Sequence, residues 1–208
     1  AVLSRFIGFG AGELANALFP RAGEPYRAGW ESLGKALEAA CSETDHAALA
    51  RSTQYAHYTP EYIVTAIWDM LMKRGFQGGS VLEPGCGVGQ FIALRPERLE
   101  GQIAFTGIEM DSIAARIARK LFPKQWIRHE DFTKAALATT YDLAIGNPPF
   151  SNRLVNAADH RELRGFSLHD WFIACSIAAL RQIGEHTSEL QSHHELVCRL
   201  LLEKKKNT

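Results

Sequence analysis

Two neighbouring stretches decide how this chain folds: SVLEPGCGVGQF at residues 80–91 and QIAFTGIEMD at residues 102–111. Each starts as a short apolar run, the pattern of a buried strand bounded by turn signals. The first runs into three glycines, Gly85, Gly87 and Gly89, and the second stops at an acid, Glu109. Glycine permits a tight turn and lets a ligand come close to the backbone. The dinucleotide fingerprint G-x-G-x-x-G is not complete, because Gln90 stands where its last Gly belongs. Glu109 lies about 20 residues past the turn, where a carboxylate can accept both hydroxyls of a ribose. Taken singly, the turn reads equally as an ordinary strand-to-helix connection, and Glu109 as a solvated charge.

Working outward, the same rhythm repeats. KQWIRHEDF (124–132) and YDLAIG (141–146) read as a third and a fourth strand. Between the second and third, Asp111 is placed to cap a helix that turns Ile113, Ile117 and Leu121 inward and is stopped by Pro123. After the fourth, SLHDWFIACSIAAL reads as a helix opened by a Ser167/Asp170 capping box. Upstream, residues 31–40 and 45–51 have helical composition. In YTPEYIVTAIWDMLMKRG, Thr59 is a candidate cap and Pro60 a first helical residue. Ile63, Ile67 and Met70/Leu71 form its apolar face, and Gly75 is its stop. Trp68, Trp126 and Trp171 sit in apolar segments and read as core. Strands alternating with helices predict an α/β protein: a parallel sheet covered by helices on both faces, with ligands at the carboxyl ends of its strands.

Chemistry-bearing residues recur at those ends. Asp131 and Phe132 follow the third strand, where an acid and a ring could hold an adenine by hydrogen bond and stacking. As isolated residues they read as a turn and a core ring. Asn147-Pro148-Pro149-Phe150 follows the fourth. Neither proline has an N–H to continue a ladder, so the strand stops there and the turn is stiff. Such a turn holds the Asn147 side-chain oxygen and the Pro148 carbonyl as a fixed pair of acceptors. His57, His129, His160 and His169, among the chain's eight histidines, are scattered, and no metal site is expected. Cys86 reads as a small packing residue.

In this order the motifs resemble those of S-adenosylmethionine-dependent DNA methyltransferases that act on amino groups. EPGCGVGQF, with Glu83, Gly85, Gly87 and Gly89, looks like their cofactor loop. Glu109 looks like their ribose acid, Asp131-Phe132 like their adenine site, and Asn147-Pro148-Pro149-Phe150 like their catalytic tetrapeptide. YAHYTP, with Tyr58, Thr59 and Pro60, resembles the segment preceding the loop in adenine-specific members. The resemblance covers roughly residues 52–181. It implies a Rossmann-like sheet, S-adenosyl-L-methionine as cofactor, and methyl transfer to the N6 amine of a flipped adenine in DNA. Protein-glutamine or ribosomal-RNA methylation, and a non-catalytic DNA-binding module, are the alternatives. RFIGFGAGELANALFP near the start is similar to the methylase part of very large phage and plasmid methylase–helicase proteins, which implies a linked helicase region.

Composition sets outer bounds. The chain has 208 residues, 46% hydrophobic and 22% charged, ordinary for a globular protein. Its 23 basic and 23 acidic residues cancel, which argues against a strong nucleic-acid field over the whole surface. Four widely spaced cysteines fit a reducing, cytoplasmic setting, and no membrane span or signal peptide is expected. Residues 1–51 read as an N-terminal helical and loop extension, and residues 52–184 as an incomplete catalytic domain. The first residue is Ala rather than Met. Residues 185–208, with EHTSELQSH and LVCRLLLEKKK, resemble the translation of a sequencing-library adapter. The expectation is a sheet truncated after the fourth strand and its helix, and a polypeptide that is inactive by itself.

Overall fold

The computed structural model describes residues 17–21, 23–55, 59–137, 140–149, 151, 153–155 and 165–181. Tyr58, Phe150 and residues 185–208, named above, lie outside them. Four strands form one parallel sheet: β1 (Gly79–Pro84), β2 (Ile103–Glu109), β3 (Trp126–His129) and β4 (Leu143–Ala144), in the order β3-β2-β1-β4. The chain therefore reverses direction across the sheet between β1 and β4, where open parallel sheets leave a crevice for ligands. This is the α/β architecture expected from the alternation.

Side-chain alternation along the strands separates two cores. Val81, Phe105, Leu143 and Ile145 join two helices on one face of the sheet. These are the segments Glu61–Lys73 and Ser112–Leu121. Leu82 and Ile108 point the other way, onto the segment Leu168–Ala178. In chain order the helices are α1 (Glu31–Ala40), α2 (Glu43–Tyr55), α3 (Glu61–Lys73), α4 (Gln90–Ala93), α5 (Ser112–Leu121) and α6 (Leu168–Ala178). Residues 51–52 fall inside α2, and Asp45 of that helix takes Arg116 of α5 through both its oxygens at 2.8 Å.

The helix faces differ from the periodicity reading. In α3 the buried residues are Val64, Trp68 and Leu71, and Ile63 is exposed. The indole decides this: Trp68 is fully buried, and its Nε1 donates to the Phe91 carbonyl at 3.1 Å. The helix starts one residue later than expected. Pro60, in extended conformation, occupies the cap position, its carbonyl accepting from Ile63 and Val64, and among the described residues Thr59 makes no cap bond. Gly75 ends the helix at φ 88°, as its position predicts. In α5 the buried face is Ala114, Ala115 and Ala118, not the isoleucines, which are half-buried on its flanks. Small side chains let this helix lie close to the sheet. Asp111 caps it as expected, accepting from Ile113 and Ala114 N–H. The Ser167/Asp170 pair caps α6.

Trp126 is 63% exposed, because β3 is an edge strand and this residue faces outward under the Arg128 guanidinium at 5.4 Å. β4 is shorter than YDLAIG suggested, and the base of its pairing with β1 is held by Asp142. One carboxylate oxygen there accepts from Ser80 N–H at 2.8 Å and from its hydroxyl at 3.0 Å. Beyond α6, Leu180 forms a parallel bridge with Tyr141 on the outer edge of β4. Among the described residues no helix is long and apolar enough to cross a membrane.

Trp68 joins the α3 core to the backbone of α4 just behind the glycine turn. Trp68→Ala is expected to cost about 3–5 kcal/mol, measured by urea unfolding. A loss below about 1 kcal/mol, the range of ordinary surface changes, would show that the indole does not fill that core.

Candidate functional site

The sequence motifs meet over the carboxyl ends of β1, β2 and β4. The β1–β2 ladder runs past Pro84, since Gly85 and Cys86 N–H both donate to the Ile108 carbonyl at 2.8 and 3.1 Å. The chain then turns on Gly85, Gly87 and Gly89, all at positive φ (68°, 55° and 84°), and enters α4. Gly89 is doubly required: a Cβ there would also lie 2.6 Å from the Phe122 ring. The turn is closed by Glu109. One carboxylate oxygen accepts from Gly87 N–H and the other from Asp111 N–H, each at 2.7 Å. A carboxylate offers about four lone-pair sites, so each oxygen retains capacity for a further donor.

Glu83 is the buried charge of the site. It lies at the end of β1, is 2% exposed, and its Oε2 has no hydrogen-bond partner among the described residues. Burial, then the neighbouring Glu109 charge, push its carboxyl well above the usual 4.5, and the Phe91 N–H opposes this only in part. Burial also raises Glu109, against the N–H groups of Asp111 and Gly87. The Cys86 thiol is buried and pushed well up, first by burial and then by both glutamates, which suits packing rather than nucleophilic chemistry. Its sulfur sits over Gly107 of β2, where a Cβ would lie 2.8 Å from it.

The fourth strand delivers Asn147 to the same place. Gly146 packs against β1: a Cβ on it would stand 3.3 Å from the Pro84 carbonyl oxygen and 3.7 Å from Glu83 Cγ. Asn147 and Pro148 are half-buried and Pro149 is exposed. Among the described residues no hydrogen bond engages the Asn147 amide. Asp131 and Phe132 follow β3, whose His129 is level with Glu109. Asp131 Oδ1 caps a short turn through Thr133 N–H and hydroxyl at 2.9 and 2.8 Å. Phe132 is 4% exposed, with its ring against Phe172 at 4.5 Å. Thr59 and Pro60 stand just ahead of α3.

Two residues at the site escaped the sequence reading. Phe172 of α6 lies between Phe132 and the glycine turn, 3.7 Å from the Cβ position of Gly85. It looked like one more apolar residue of a core helix, and only the fold brings it here. Met110 is 69% exposed beside Glu109, and its carbonyl meets His129 Nε2 at 3.1 Å. Its signal was available: a large apolar residue set between two acids at a strand end.

The donor set fits S-adenosyl-L-methionine. Glu109 offers acceptor capacity suited to ribose hydroxyls, and the glycine turn leaves room for close approach. Glu83 offers an unsatisfied acceptor suited to a cation.

No family model matches the chain. It is 31% identical over 100 residues to the "Defense against restriction protein B" of Escherichia phage P1, which covers 47% of this chain and 4% of that protein. It is 32% identical over 103 residues to the type II methyltransferase M.CvrRI of Paramecium bursaria Chlorella virus XZ-6E, covering 50% and 26%. The chain thus matches only a small part of each relative's length. Among solved structures, a modification subunit assigned to a type I restriction enzyme from Vibrio vulnificus YJ016 superposes with TM-score 0.51 at 18% identity, over 76% of this chain and 35% of that one.

The raised Glu83 carboxyl has a consequence for stability. Above 4.5 the unfolded chain has released a proton that the native protein still holds, so stability falls as pH rises. Glu83→Gln is expected to be more stable than wild type at about pH 8, with the gap closing towards about pH 4, in urea titrations across that range. A pH-independent difference would show that folding does not shift the Glu83 carboxyl. The chain shares the α/β fold of a type I modification subunit, and in sequence it is similar to part of a phage protein named for defence against restriction and to part of a type II methyltransferase.

Proposed function

We propose that this chain transfers the methyl group of S-adenosyl-L-methionine to the N6 amine of adenine in DNA. The observation that carries the reading is the packing of Gly146 on Pro84 and Glu83. It seats Asn147 and Pro148 beside the glycine turn, so acceptor and cofactor sites share one crevice.

The cofactor supplies a methyl group made electrophilic by its sulfonium. The glycine turn of Gly85, Gly87 and Gly89 would hold it by backbone approach, and Glu109 would accept its ribose hydroxyls. Asp131 and Phe132, with Phe172 behind, would border the cofactor's adenine, Glu83, Thr59 and Pro60 would line the same site, and Tyr58 is assigned to it from the sequence alone. The exocyclic amine of adenine is a poor nucleophile, because its lone pair is spread into the ring. Asn147 Oδ1 and the Pro148 carbonyl each accept one N–H, which draws the nitrogen towards tetrahedral geometry and aims its lone pair. The same two dipoles stabilise the positive charge that develops on nitrogen. Alignment for in-line displacement supplies much of the rate, and no strong base is needed. Pro149 keeps the acceptors fixed, and Phe150 stacks on the base once it leaves the duplex. Because the matched part is 4% of the phage P1 relative, we place this unit within a much longer protein, with a helicase region as the expected companion.

The test is methyl transfer from labelled cofactor to unmethylated DNA by the whole protein and by Asn147→Ala, with base analysis of the product. N6-methyladenine is expected, falling at least about 100-fold in the variant, the scale of losing one preorganised transition-state contact. Methylated cytosine, or transfer only to protein or RNA, would overturn the assignment.

A further inference from the structure

Glu83 and Glu109 stand at the ends of adjacent strands, and the Glu109 charge acts on Glu83. Their situations differ. Both Glu109 oxygens accept backbone N–H groups, whereas Glu83 is 2% exposed with Oε2 unmatched. Among the described residues, the charged group acting on Glu83 is Glu109 from β2, the Cys86 thiol of the turn is itself raised by Glu83, and α4 contributes the Phe91 N–H. All three titratable groups are acids. Two adjacent carboxylates out of water cannot both remain charged without a cation, so one of them keeps its proton. Glu83, with fewer donors, is that one. The missing partner is positive, and the proposed cofactor carries two positive groups, a sulfonium and an α-ammonium.

Resting on that cofactor assignment, we propose that Glu83 is a proton-releasing contact: binding S-adenosyl-L-methionine expels the carboxyl proton of Glu83 to solvent. The proton goes to buffer, and the cofactor's cationic charge replaces it beside the carboxylate. Ligand affinity at this site is therefore coupled to pH, strengthening by up to about tenfold per pH unit while Glu83 is protonated in the free protein. Glu83 also becomes a charge filter, since a ligand of the same shape without a cationic amine leaves the proton in place.

Calorimetric titration of the whole protein with S-adenosyl-L-methionine tests this. It is run at about pH 6, below the usual 7.7–8.0 of an α-amino group, so the ligand's amine is cationic throughout. Phosphate and imidazole buffers, which both titrate near this pH and differ in ionisation heat, report the protons exchanged. The expected result is release of up to about one proton per cofactor in wild type, and close to none with weaker binding in Glu83→Gln. Wild-type enthalpies that are equal in the two buffers, with binding intact, overturn the proton release and leave the cofactor assignment standing. Release that persists in Glu83→Gln overturns the assignment to Glu83. No binding in either buffer overturns the cofactor reading itself, and this inference with it.

Discussion

The carboxylate of Glu109 accepts two backbone N–H groups from opposite sides of the site, Gly87 and Asp111, both at 2.7 Å. Hydrogen bonds to a charged acceptor contribute roughly 1.5–3 kcal/mol each, and these two add to the bonds from Gly85 and Cys86 N–H to the Ile108 carbonyl. One fixes the glycine turn after β1. The other fixes the second residue after β2, Asp111, whose own side chain then caps α5. Place the charge elsewhere and the turn, the strand end and the helix start lose their common anchor. The same charge also lies in a buried setting, which raises Glu109 and helps to raise Glu83 and Cys86.

The second arm of the site depends on contact rather than charge. β4 is two residues long, yet it positions the Asn147-Pro148 turn because Gly146 comes against Pro84 and Asp142 grips Ser80 at the other end. A short strand pinned at both ends, followed by two prolines, leaves Asn147 little freedom. This rigidity is what in-line transfer to a weak nucleophile requires.

Much of this was legible in the sequence. Glycines at 85, 87 and 89 could be read because positive φ excludes other residues, and all three adopt it. Asp111 and Ser167 could be read because capping is local. Helix faces were less legible. Periodicity marks bulky apolar residues, whereas α5 approaches the sheet through Ala114, Ala115 and Ala118, and α3 is oriented by one indole bonded to a distant carbonyl. Trp126 looked like core because its neighbours are apolar, but its strand lies at the sheet edge. Phe172 and the pairing of Glu83 with Glu109 depend on strand order, which no local pattern carries.

The central claim is that a nucleoside-bearing cofactor sits over the ends of β1 and β2, held by the turn that Glu109 closes. A crystal structure of the whole protein with S-adenosylhomocysteine tests it most directly. The account predicts ribose hydroxyls on Glu109, the amino-acid end near Glu83, and the sulfur facing Asn147. Ligand density along the outer edge of β4, beside Leu143 and Ile177, with Glu109 contacting only Gly87 and Asp111, would contradict it.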